Sequence, residues 1–146
     1  MTEPSITVAI VWSDADLLEV ELRVEFDVWC GAERAYVTRK ELTAFATAMD
    51  EVADGGSQAT LNVGQPDLGY GACRVFEYGG PRHLGAEIIV GHAGGQVMNR
   101  PDYRRELRVS VPIERGQLPA FARAIRNVVG AEQGIARLPL PPDWPW

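Results

Sequence analysis

The chain is poor in the residues that build reactive centres. Its 146 residues include two cysteines and two histidines. Cys30 and Cys73 are far apart and lack CxxC spacing, so neither a disulfide framework nor a redox pair is indicated, and a free thiol in a reducing compartment is expected. His83 and His92 sit beside glycines and read as solvated loop or strand-end residues. The four together match no ligand spacing of structural zinc, so no metal is expected. Neither the GxxxxGK[ST] phosphate loop nor the GxGxxG order occurs, and no cofactor is expected. No apolar run approaches the roughly 18 residues that cross a bilayer. Residues Met1 to Ser5 carry no basic group and lead into a strand pattern, which argues against a secretion signal and for the cytoplasm. Positive charge is also short. Fourteen basic residues against 20 acidic ones leave −6, which excludes non-specific binding to nucleic acid or anionic lipid.

Apolar residues are plentiful, at 46%, and the length suits one domain with a true core. Ile6, Val8, Ile10 and Trp12 alternate with Thr7, Ala9 and Val11 and predict a first strand. The clearest period of two follows. Val20, Leu22, Val24, Phe26, Val28 and Cys30 fall on one face, and Glu19, Glu21, Arg23, Glu25, Asp27 and Trp29 on the other. That is the signature of an antiparallel strand buried on one side. Thr38 to Glu41 spells a capping box, and Leu42, Phe45, Ala46, Met49 and Val52 then recur at helical steps. Further strands are predicted at 58–63, 73–78, 84–91 and 107–113, and a second helix over about 115–129. Pro119 fits that helix only in its first turn, so the helix should start near Gly116. The expected fold is α+β: an antiparallel sheet with two amphipathic helices packed on one face.

The two helices resemble each other. A shift of 76 residues places Arg39, Leu42, Ala44, Phe45, Ala46, Ala48 and Val52 on identical residues at Arg115, Leu118, Ala120, Phe121, Ala122, Ala124 and Val128. Two explanations stand at this point. Generic amphipathic helices converge on such patterns, or a strands-then-helix unit has been duplicated. The domain is expected to span 1–134, followed by a Pro/Trp-rich tail over 135–146.

Two surface features stand out. The first is the polar face of the long strand, with Glu19, Glu21, Glu25 and Asp27 acidic and Trp29 a candidate anchor. Its charges either pair across the sheet, with Arg108 and Arg104 as the expected cations, or remain open to a basic protein partner. The second is the tail, where Trp144 and Trp146 among prolines are costly to leave in water and should dock on the domain itself or on a second copy as a homodimer.

The helix units built on Leu42 with Phe45, and on Leu118 with Phe121, resemble those of small proteins of high-GC bacteria grouped with the immunity proteins of polymorphic toxin systems. The resemblance covers roughly Leu17 to Gly130. It implies a non-enzymatic cytosolic protein that binds and occludes a toxin domain, and it transfers no residue-level site. The alternative from the residues is a small-molecule-binding domain with its pocket between sheet and helices or under the tail. An enzyme would require His83 or His92 to meet a carboxylate or thiol in a cleft.

Overall fold

The computed structural model describes residues 3–65, 68–78, 83–93 and 104–141. Alternating apolar residues form eight strands, and the two capped stripes form two helices. In chain order these are β1 (Ser5–Ser13), β2 (Leu18–Phe26), β3 (Trp29–Val37), α1 (Arg39–Ala53), β4 (Gln58–Gly64), β5 (Gly69–Glu77), β6 (Leu84–Ala93), β7 (Arg104–Ile113), α2 (Leu118–Ala131) and β8 (Gly134–Pro139). The fold is α+β with antiparallel pairing throughout, and the strands divide into two sheets of four, ordered β3-β2-β1-β8 and β4-β5-β6-β7.

These orders reveal a repeat. Each half of the chain runs strand, strand, strand, helix, strand. In each sheet the three consecutive strands of one half are completed by the last strand of the other: β8 lies beside β1, and β4 beside β5. The buried stripe of α1 is Leu42, Phe45, Ala46, Met49 and Val52, and that of α2 is Leu118, Phe121, Ala122, Ile125 and Val128. All five positions correspond at the same 76-residue shift. The likeness of the helices is therefore one part of a repeat that runs through the whole topology. Gly134–Pro139, expected to begin a tail, is a sheet strand, and its Ala136 and Leu138 are buried. Trp144 and Trp146 lie outside the described residues.

Local chemistry sets the helix ends. The Thr38 hydroxyl accepts from the Glu41 amide at 3.1 Å, and the Glu41 carboxylate accepts from the Thr38 amide at 3.3 Å. The second helix is preceded by a 3-10 turn at Arg115–Gln117, so Pro119 falls in its first turn, where no helical donor is lost. The helices pack on each other, with α1 also against β4 and α2 against β8. Phe45 and Phe121 are each 1% exposed, and burying such a ring contributes roughly 2–3 kcal/mol. The two sheets approach closely where Gly31 of β3 faces Leu107 and Val90; a side chain there would overlap both. No described helix is long and apolar enough to cross a membrane.

Two arginines at equivalent positions tie the halves together. At the start of α1, Arg39 donates to the carbonyls of Asp14 and Ala15 after β1, and to the Glu132 carboxylate at the end of α2 (2.7 Å). At the start of the second helical unit, Arg115 donates to the Glu77 carboxylate at the end of β5 (3.0 Å) and to the Val52 carbonyl in the last turn of α1. Each clamp thus joins its own helix start to the other helix's end. Arg115 and Glu77 keep only about a quarter of their side-chain surface in water (28% and 27%). Arg115→Ala should therefore cost about 1.5–3 kcal/mol in chemical denaturation, as expected for charge-assisted bonds. Arg126→Ala, removing the more exposed pair with Asp50, should cost under about 1 kcal/mol. Equal losses would contradict the clamp.

Candidate functional site

The outer face of the first sheet carries the acidic strand. Antiparallel register aligns its side chains in rows: Tyr36, Glu19 and Trp12; then Arg34, Glu21, Ala9 and Ile135; then Ala32, Arg23, Thr7 and Arg137. The opposite parity of β2, from Leu18 to Val24, is fully buried.

Most of the acid on this face is paired, by cations of the same sheet. Arg23 binds Glu21 at 3.0 Å and Glu25 at 3.7 Å, Arg34 reaches Glu21 at 3.4 Å, and Arg137 reaches Glu3 at 3.3 Å. The hydrogen bond to Glu21 holds the Arg23 guanidinium above its ordinary pKa despite partial burial. The sequence pointed to Arg108 instead. Arg108 lies on the second sheet, where it pairs with Glu87 at 3.5 Å and Glu106 at 3.9 Å. The side chain of Arg104 lies outside the described residues. Glu19 has neither an ion pair nor a hydrogen bond to any described residue.

Two aromatic residues change places relative to the sequence expectation. The strand read as continuous from Val20 to Cys30 turns at Asp27 and Val28, with Phe26 and Trp29 facing each other across the hairpin. Asp27 adopts φ 56°, a conformation that Asp tolerates better than most side chains. The two-residue turn flips the parity of everything after it. Val28, expected in the core, is 84% exposed, and Cys30 is exposed. Trp29 shares the face of Phe26, opposite to that of Glu21 and Glu25, so it is no anchor for the acidic face. Asp27 lies in the turn itself.

The ring on the acidic face is Trp12. The pairing shifts between Ile10 and Trp12, so that Ile10 faces Val20 and Trp12 faces Glu19, with Val11 as the extra residue. This β-bulge rotates Trp12 out of the buried set of Ile6, Val8 and Ile10, leaving it 49% exposed. Tyr36 of β3 is 51% exposed on the other side of Glu19, and the two rings meet edge to face with centroids 6.3 Å apart. Alternation alone gave no warning, because a bulge has no residue signature here.

A cleft of about 660 Å³ lies between the sheets, bounded by the start of β3 and the adjoining ends of β6 and β7. His92 meets Glu33 there, with Nδ1 3.8 Å from the carboxylate. Cys30 borders the cleft, yet its sulfur accepts from Arg23 at 3.8 Å on the outer face of the sheet. His83 is exposed and rests against Tyr78, with ring centroids 5.9 Å apart. Among the described residues no group of three or more His, Cys, Asp or Glu is placed to hold a metal ion. No protein-family model matches the chain, and no curated protein or solved structure matches it significantly.

Two measurements follow from this geometry. Burial pushes the Cys73 thiol up to about 12, so at pH 8 it stays protonated and unreactive. A disulfide reagent should titrate one thiol, Cys30, in the folded protein, and both in denaturant. Two equally fast thiols in the folded protein would contradict the described core. The second measurement concerns acid. Backbone amides of Leu17 and Asp16 hold the Asp14 carboxyl below its ordinary range, and hydrogen bonds from Arg39 and then Ser13 do the same for Glu132. Native pKa values below the unfolded ones add stability at neutral pH that is lost as pH falls through them, below about pH 4. Asp14→Asn and Glu132→Gln should flatten the loss of melting temperature between about pH 4 and 2. An unchanged slope would show that neither carboxylate feeds the acid transition.

Proposed function

We propose that the protein is a non-enzymatic binding domain of the immunity-protein kind, docking a basic protein partner on the outer face of its first sheet and acting by occlusion. The observation that carries this reading is the row Trp12, Glu19, Tyr36: two half-exposed aromatic rings astride a carboxylate without a described charge partner. Aromatic residues dominate the energetics of protein interfaces, and Val11 and Ile135 add exposed apolar surface. Charge favours a basic partner. Across this sheet and its turns, Glu3, Asp14, Asp16, Glu19, Glu21, Glu25 and Asp27 outnumber Arg23, Arg34 and Arg137. Such an excess steers a cationic surface into contact and makes association sensitive to salt. Two free cysteines, one of them exposed, fit the cytoplasm.

A second reading rests on the cleft between the sheets, whose volume lies within the range of small-molecule sites. It differs from the sequence expectation, which placed a pocket between sheet and helices or under the tail.

Affinity capture from the native cell separates the two. The wild type should retain a basic protein that salt elutes, and Trp12→Ala with Tyr36→Ala should weaken retention at least about 30-fold while leaving the fold intact. Failure to recover a partner, or equal recovery by wild type and variant, would sink the docking reading. A metabolite that raises the melting temperature of the wild type but not of His92→Ala would favour the cleft.

A further inference from the structure

We infer that Trp12, Tyr36 and Glu19 form a receptor for a single cationic side chain, the guanidinium or ammonium group of an arginine or lysine. This deepens the docking reading by naming the chemical group that its central contact accepts. Three observations converge on it. First, Glu19 is directly opposite Trp12 on one side and Tyr36 on the other, so the three side chains occupy adjacent strands in one row. Strands two apart in a sheet are separated by roughly 9–10 Å. Rings with centroids 6.3 Å apart therefore lean towards each other over the strand that carries Glu19. Second, their planes stand at 85°, forming a corner rather than a stack. A cation above Glu19 lies within the roughly 6 Å over which a ring face attracts positive charge. Third, the other glutamates of this strand face are already engaged. Arg23 holds Glu21 and Glu25, and Arg34 also holds Glu21, whereas Glu19 is met by no described cation.

The surroundings set the sign. Asp14 and Asp16 lie in the turn between Trp12 and Glu19 along the chain, and Glu132 receives Ser13 next to Trp12. Arg39 offsets Glu132, and Arg34 is drawn to Glu21. The corner is thus apolar on two sides and anionic at its base and rim. An anionic or neutral polar group gains nothing there, while a planar guanidinium can stack on one ring and bind the carboxylate through its fork.

The test needs no partner protein. Amides of N-acetyl-arginine, N-acetyl-lysine and N-acetyl-citrulline, the last a neutral isostere of arginine, are titrated into the full chain. The indole N–H of Trp12 is followed by NMR and assigned by its loss in Trp12→Phe. A saturable shift of that resonance with arginine or lysine, and at least about tenfold weaker binding in Glu19→Gln, is the expected result; the cation giving the tighter curve identifies the head group. An equal response to citrulline, no response to either cation, or binding unaffected by Glu19→Gln in a variant of unchanged melting temperature overturns the assignment. Because the probes are single amino acids, failure here leaves the capture result standing, and a failed capture does not decide this one.

Discussion

The exchange of last strands between the two halves is the constraint on which the rest of the molecule depends. β4 follows α1 in the chain yet completes the sheet begun by β5, and β8 follows α2 yet completes the sheet begun by β1. Neither half can close its own sheet. The helices must then sit together, each beside the strand that its own half sends across, and their apolar stripes merge into one core. Arg39 and Arg115 secure this arrangement from both sides, each binding the chain at the end of its own half's first strand and the end of the opposite helix. Such closure favours all-or-none folding, because neither half completes its sheet or covers its helix stripe without the other.

With the inner faces committed to the core, the outer faces are what remains for recognition. The acidic face of β2 does not meet Arg108, the cation expected from the sequence, because β2 and β7 belong to different sheets. Arg108 answers Glu87 and Glu106, while Arg34 of β3 and Arg137 of β8, both strands of the first sheet, answer Glu21 and Glu3. Each sheet thus pairs glutamates with arginines of its own strands. The residual negative charge concentrates at Glu19 and the β1–β2 turn, next to the exposed rings.

Much of the fold was legible because it rests on local rules. The alternation from Glu19 to Phe26 and the capping box at Thr38 depend on neighbours a few residues apart, and each appears in the structure where its residues stand. The 76-residue likeness of the helices pointed to the repeat. The division into two sheets was not legible, since the first sheet closes through pairings between residues more than a hundred positions apart, such as Ile6 with Leu138. β8 was hidden by composition: Pro139 looks like a breaker, but an edge strand leaves room for a residue without a donor. The site suffered most. A one-residue change of register moves a side chain to the opposite face, and this happened twice, at the Asp27–Val28 turn and at the Val11 bulge. The first removed Trp29 from the acidic face, and the second put Trp12 there.

The internal repeat makes the bulge informative. β5 is the counterpart of β1, and it pairs with β6 from Gly69 to Glu77 in unbroken register. The architecture therefore does not require a bulge at this place. At its end β5 presents Glu77, which holds Arg115, whereas β1 presents Trp12 to water and leaves the equivalent duty towards Arg39 to Glu132. Breaking a ladder and exposing half an indole both work against stability. The first half bears a bulge where the second has none, and it does so beside Tyr36 and the one β2 glutamate without a described cation. Local departures from a fold's own rule tend to mark the places where function overrides packing. Here the departure falls on the row that the docking reading requires.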